Sequence, residues 1–134
     1  MLTELSRQIY DINAANGFWD EPREIGTMLM LPTSELAEAL EADRKGKWAD
    51  MTGEDRAFLE GMPAFMYASP SGSDKELYAS VFKERVKDSF EDEIADAIIR
   101  LLDISAGHGI DIGFHVKAKM AYNATREYRH GKRY

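Results

Sequence analysis

The stretch EDEIADAIIRLLD, Glu91 to Asp103, decides how this chain is read. Spaced about 100° apart around a helix, Ala97, Leu101, Ile94, Ile98, Leu102, Ala95 and Ile99 sweep out roughly 200° of apolar surface, against ~100° for an ordinary surface helix. Such a helix is expected to be covered on most sides. The strip left over holds Asp92, Asp103, Asp96, Arg100 and Glu93. Glu93 and Asp96 stand at i, i+3, so their carboxylates point the same way and can share one cation.

A second stretch, SELAEALEAD from Ser34 to Asp43, repeats the arrangement: Glu35 and Glu38 stand at i, i+3 beside Leu36, Ala39 and Leu40. Either acidic strip alone is equally readable as a solvated face. Together they favour a metal, because four facing carboxylates would repel without one. Oxygen donors without His or Cys suit a hard cation such as Mg²⁺, with Mn²⁺ as a substitute.

The spacing predicts an all-α chain, since apolar intervals of three and four recur and period-2 alternation is never sustained. The first helix is expected over Thr3–Asn16, closed by NGFWDEP. The second covers about Arg23–Arg44, with a kink or fresh start near Leu31 because Pro32 removes a backbone donor and crowds the preceding turn. TGEDRAFLE reads as a short helix closed by Gly61–Pro63, and ASPSGSD as a loop. Ser73 and Glu76 form a capping-box pattern opening a helix to about Lys87. The long helix then runs from about Phe90 to Ala106 and the last from Ile112 to Tyr128.

At 134 residues the chain is expected to be one domain, 1–134, able to bury its core without staples. It has no cysteine, which excludes disulfides, thiolate metal sites and thiol nucleophiles. MLTELSRQIY is charged at Glu4 and Arg7, and nowhere do about 18 apolar residues run together, so a cytoplasmic chain without a membrane span is expected. The net charge of −7 argues against nucleic acid and membrane surfaces as partners. Charge is unevenly placed, however: acids crowd Glu35–Asp43 and Asp88–Asp103, while REYRHGKRY is basic. That pairing fits a metal and a phosphate.

Other chemistry finds no pattern. There is no Walker A sequence, no G-x-G-x-x-G, no G-x-S-x-G elbow and no triad for the three histidines. A di-iron bundle needs two Glu-x-x-His pairs, and only Glu127 to His130 qualifies. Trp19 and Trp48 could each stack on a nucleobase, with core packing or an oligomer contact as the plainer reading.

GFWDEPREIGTMLMLPTSELAEALEADRKGK, FEDEIADAIIRLLDISAGHGIDI and KMAYNATREYRHGKRY together resemble the MazG-like branch of the all-α nucleoside triphosphate pyrophosphohydrolases. The likeness covers about two-thirds of the chain and lies in the order ExxE helix, ExxD helix, then Lys, Asn and Arg leading to HGK. It implies a helical bundle with a helical insertion around residues 50–88. It also implies Mg²⁺ on Glu35, Glu38, Glu93 and Asp96, with Glu38 and Glu93 as catalytic candidates and Glu38 as the choice of general base. The implied reaction splits a nucleoside triphosphate between the α- and β-phosphates, releasing monophosphate and pyrophosphate. Lys119, Asn123 and Arg126, at i, i+4 and i+7 in a strip shared with His115 and Tyr122, would bind the distal phosphates. Read without the resemblance, the two cations are simply ones favoured at a helix C-terminus. A homodimer or homotetramer is expected, because the Glu91–Asp103 helix is too apolar for one small chain to cover. A phosphoribosyl-ATP pyrophosphohydrolase-like enzyme and a noncatalytic helical interaction domain stay open as alternatives.

Overall fold

The computed structural model describes residues 1–62 and 72–131, the side chain of His130 excepted. The described chain is all-helical. Its elements are α1 (Leu2–Ala15), α2 (Ile25–Arg44), α3 (Gly53–Gly61), α4 (Gly72–Arg85), α5 (Phe90–Gly107) and α6 (Ile112–Ala124), followed by a 3₁₀ turn at Tyr128–Gly131. No strand occurs among the described residues, and none of their helices is long and apolar enough to cross a membrane. The chain divides into two compact units, Met1–Leu31 with Ile98–Tyr134, and Pro32–Ala97.

In the first unit α1 packs against α6. Asp111 caps α6 by accepting the Phe114 N–H at 3.1 Å, and the Thr3 hydroxyl donates to the same carboxylate at 2.6 Å. Thr3 also accepts the Gly113 N–H, so one threonine ties the start of α1 to the start of α6. These bonds, the Thr3 hydroxyl foremost, hold the Asp111 carboxyl below its usual range. α1 stops where Gly17 takes the left-handed region at φ 87°, letting the Phe18 N–H reach the Asn13 carbonyl. That turn delivers Trp19 onto α5, where a Cβ at Gly107 would collide with the indole.

In the second unit α2 closes the same way, with Gly46 at φ 66° and the Lys47 N–H on the Ala42 carbonyl. Thr52 and Asp55 form a reciprocal capping box that starts α3. α3 packs against α4, where Phe58, Tyr78 and Phe82 lie ring to ring and Arg85 reaches Asp55 at 3.2 Å.

Three boundaries differ from expectation. α2 begins at Ile25 because Glu24 accepts the Thr27 N–H and hydroxyl, capping the helix two residues later than expected. It then runs through Pro32 as one helix, so of the kink or fresh start expected near Leu31 the fresh start does not occur. α4 starts at Gly72, which puts Ser73 inside the first turn. α6 ends at Ala124, because the Thr125 hydroxyl and N–H both turn back onto the Tyr122 carbonyl. α3 and α4 occupy the 50–88 segment. Pro63 and the ASPS part of the expected loop lie outside the described residues, as do Lys132 to Tyr134 of the basic tail.

The broad apolar sweep of α5 is only partly covered. Ala97 and Leu102 are buried, whereas Ile98, Ile99 and Leu101 remain exposed. The acidic strip behaves in the opposite way, since Glu93 and Asp103 are buried.

Candidate metal centre

Small buried residues accompany the acids of the second unit on their helices. On α2, Ala39 and Ala42 are buried four and seven positions after Glu35, so Glu35 shares the inward, narrow face of the helix. On α5, Ala97 stands four positions after Glu93 and is buried with it. Ser89 fixes the start of that helix, its hydroxyl accepting the Asp92 N–H at 3.3 Å and its carbonyl the Glu93 N–H at 3.1 Å.

One carboxylate oxygen each from Glu35, Glu38 and Glu93 lies within 4.8 Å of the other two. Glu35 is 6% exposed and Glu93 9%, while Glu38 opens to solvent. Burial pushes the Glu93 carboxyl up to about 7, helped by the charge of Glu38 and by a hydrogen bond shared with Glu35. Its place in the first turn of α5 would favour the charged form through the helix dipole, and burial overrides this. Two carboxyls buried against each other with a third at hand are costly unless protonated or bound to a cation. The donor set is all oxygen, so the residues fit a hard divalent ion.

Asp96, the fourth expected ligand, is exposed and stands outside this group. A second group, missed in the sequence, joins Asp88, Asp92 and Glu93. The i, i+4 spacing of Asp88 and Asp92 in DSFED was its signal. Lysines already attend this group, with Lys87 Nζ 2.6 Å and Lys47 Nζ 3.6 Å from the Asp88 carboxylate, and Asp92 accepts the Asp88 N–H at 2.8 Å. Asp88 sits in the left-handed region at φ 58°. With its negative charge balanced in this way, the second group is the poorer cation site.

Lys119, Asn123 and Arg126 belong to the first unit. Arg126 falls beyond the end of α6, so the three do not form a helical strip. The two cations nevertheless gather on one ring, Lys119 Nζ 4.9 Å and the Arg126 guanidinium 5.9 Å from the centre of Tyr122. The Tyr122 ring is exposed. Trp19 has a structural role in the same unit: its indole N–H donates to the buried Asp103 carboxylate at 2.9 Å, and Arg23 lies 3.8 Å from that carboxylate and 5.3 Å from the ring centre.

No protein-family profile matches the chain, no curated protein is significantly similar to it, and no solved structure matches it.

Proposed function

We propose that the chain is a Mg²⁺-dependent nucleoside triphosphate pyrophosphohydrolase of the MazG-like, all-α type. The observation that carries this reading is the meeting of Glu35 and Glu38 from α2 with Glu93 from α5. Glu35, Glu38 and Glu93 would hold the cation, Mg²⁺ first and Mn²⁺ as its substitute. When bound, a divalent ion supplies positive charge to phosphate oxygens and makes water more acidic. Glu35 and Glu93, being buried, fix the position of that charge. Glu38, which is open to solvent, would accept a proton from the attacking water and pass it on. Attack at the α-phosphorus then releases the monophosphate and pyrophosphate. Asp96 is the fourth ligand that the resemblance names.

The proposal extends to Lys119, Asn123 and Arg126 as groups for phosphate oxygens, on the strength of their charge and their order along the chain. It also extends to a cytoplasmic homodimer or homotetramer. Large apolar side chains open to water support assembly: Ile98, Ile99, Leu101 and Met120 in the first unit, Leu36 and Leu40 in the second.

The test is a hydrolysis screen over ordinary and modified nucleoside triphosphates with Mg²⁺, Mn²⁺ or EDTA. Cation-dependent release of pyrophosphate supports the reading. No turnover with any nucleotide, and no change of thermal stability on adding the cation, would leave a noncatalytic helical domain.

A further inference from the structure

Trp48 is half open to solvent, at 50% exposure, and it belongs to the same unit as the three acids. One face of its indole stacks on Phe90, with ring centres 4.4 Å apart and planes 26° apart. Phe90 and Glu93 stand at i, i+3 on α5, neighbours on the helix surface whose Cβ atoms are about 5–6 Å apart. The backbone on both sides of the indole is fastened to this region. The Phe90 N–H donates to the Lys47 carbonyl at 2.9 Å, the Ala49 N–H to Glu91 Oε2 at 2.8 Å, and the Asp50 N–H to the Arg85 carbonyl at 3.0 Å. Lys47 itself reaches Asp88, whose carboxylate meets that of Glu93. A large, half-exposed ring therefore stacks on Phe90, which stands one helical turn from Glu93, and the chain on both sides of that ring is fastened by backbone hydrogen bonds.

We propose that Trp48 is the stacking platform for an aromatic base of the substrate whose phosphates lie at Glu35, Glu38 and Glu93. This rests on the reading of those acids given above and narrows it to base-bearing substrates over inorganic polyphosphates. Stacking suits this position because every nucleobase has a π face, so the ring binds the class without selecting one base. Fixing the ring beforehand lowers the ordering cost of binding. Trp19 is not available for this role, because its N–H is committed to Asp103 and its ring is packed at Gly107 and Arg23.

The experiment compares wild type, Trp48→Ala and Trp48→Phe on a nucleoside triphosphate and on inorganic tripolyphosphate. It is paired with quenching of intrinsic fluorescence by a nucleoside monophosphate. Trp48→Ala is expected to raise KM for the nucleotide about tenfold, the scale of one lost stack, and to change tripolyphosphate turnover less. Trp48→Phe should recover most of the loss, and quenching should vanish in both variants. Normal hydrolysis with an unchanged KM in Trp48→Ala overturns the platform and leaves the proposed activity standing. Quenching by the monophosphate without any hydrolysis does the reverse. A change in the molar mass of Trp48→Ala by light scattering, with KM unmoved, makes Trp48 an assembly contact and overturns the proposal.

Discussion

Glu93 on α5 shares a hydrogen bond with Glu35 on α2, each buried in the second unit, so the fold brings two like-charged groups out of water together. The fold therefore favours one proton on the pair. Glu93 lies near 7 in the folded chain against 4.5 ordinarily, so its contribution to stability is complete below about pH 4.5 and is lost as pH rises through about 7. The metal-free protein should melt progressively lower between those values and level off above them. The change is a few kcal/mol at most, since one pKa unit is about 1.4 kcal/mol. Saturating Mg²⁺ should remove the decline, because the ion binds the deprotonated form. A melting temperature flat with pH in EDTA would contradict this.

Glu93→Gln tests the same group from the other side. The amide keeps the size of the side chain and cannot ionise, so the variant without metal should be as stable as wild type at pH 8, or more so. Stabilisation by Mg²⁺ should fall sharply, and turnover with it. An ion at a hundred times its dissociation constant stabilises a fold by about 2.7 kcal/mol, which calorimetry resolves. Full turnover in Glu93→Gln would make this glutamate a structural acid only.

The indole of Trp19 predicts a cost that has no connection with catalysis. Trp19→Phe keeps most of the ring and removes the donor to Asp103, a carboxylate that is only 5% exposed. Leaving a buried acceptor unsatisfied costs about 1–3 kcal/mol. Gly107→Ala should cost a similar ~1–3 kcal/mol by overpacking, since its Cβ would enter the space of the indole. The two effects should be less than additive, because both displace the same ring. Denaturant melts of the two variants and their combination measure this.

The helical class was legible because apolar spacing reports local geometry, and Glu35, Glu38 and Glu93 were legible because i, i+3 carboxylates stand out along a helix. Which side of α5 faces inward was not. The apolar sweep pointed to Ile98, Ile99 and Leu101, yet the chain covers Glu93 and Ala97 and leaves those three exposed. Asp96 lies about 60° around the helix from Glu93, on the side away from Ala97, which explains why spacing alone counted it among the converging acids. The Trp19–Asp103 bond joins positions 84 apart, a pairing that no local pattern announces. The end of α6 lies at Thr125, whose hydroxyl and N–H both turn back on the Tyr122 carbonyl. The consequence was to take Arg126 off the helix while leaving it near the ring that Lys119 also approaches.

Product identity separates the proposed reaction from a generic phosphatase. With Mg²⁺ and a mixture of nucleoside triphosphates, attack at the α-phosphorus gives monophosphate and pyrophosphate with little diphosphate. Attack at the γ-phosphorus gives diphosphate and orthophosphate. Positive charge is most effective where negative charge develops, so cations held against the leaving pyrophosphate favour the first outcome. Lys119 and Arg126 are the cations proposed for this task, and both lie near the exposed Tyr122 ring, where the packing of the fold does not depend on them. Arg126→Ala should therefore change the melting temperature little, as surface substitutions do, within about 0.5 kcal/mol. It should lower kcat/KM by tenfold or more, the loss of one charge-assisted contact to phosphate. Ion-exchange separation of the products together with a thermal melt of the variant reads both quantities. Diphosphate as the main product would move the cleavage to the outer phosphate, and unchanged kcat/KM in Arg126→Ala would remove this arginine from the site.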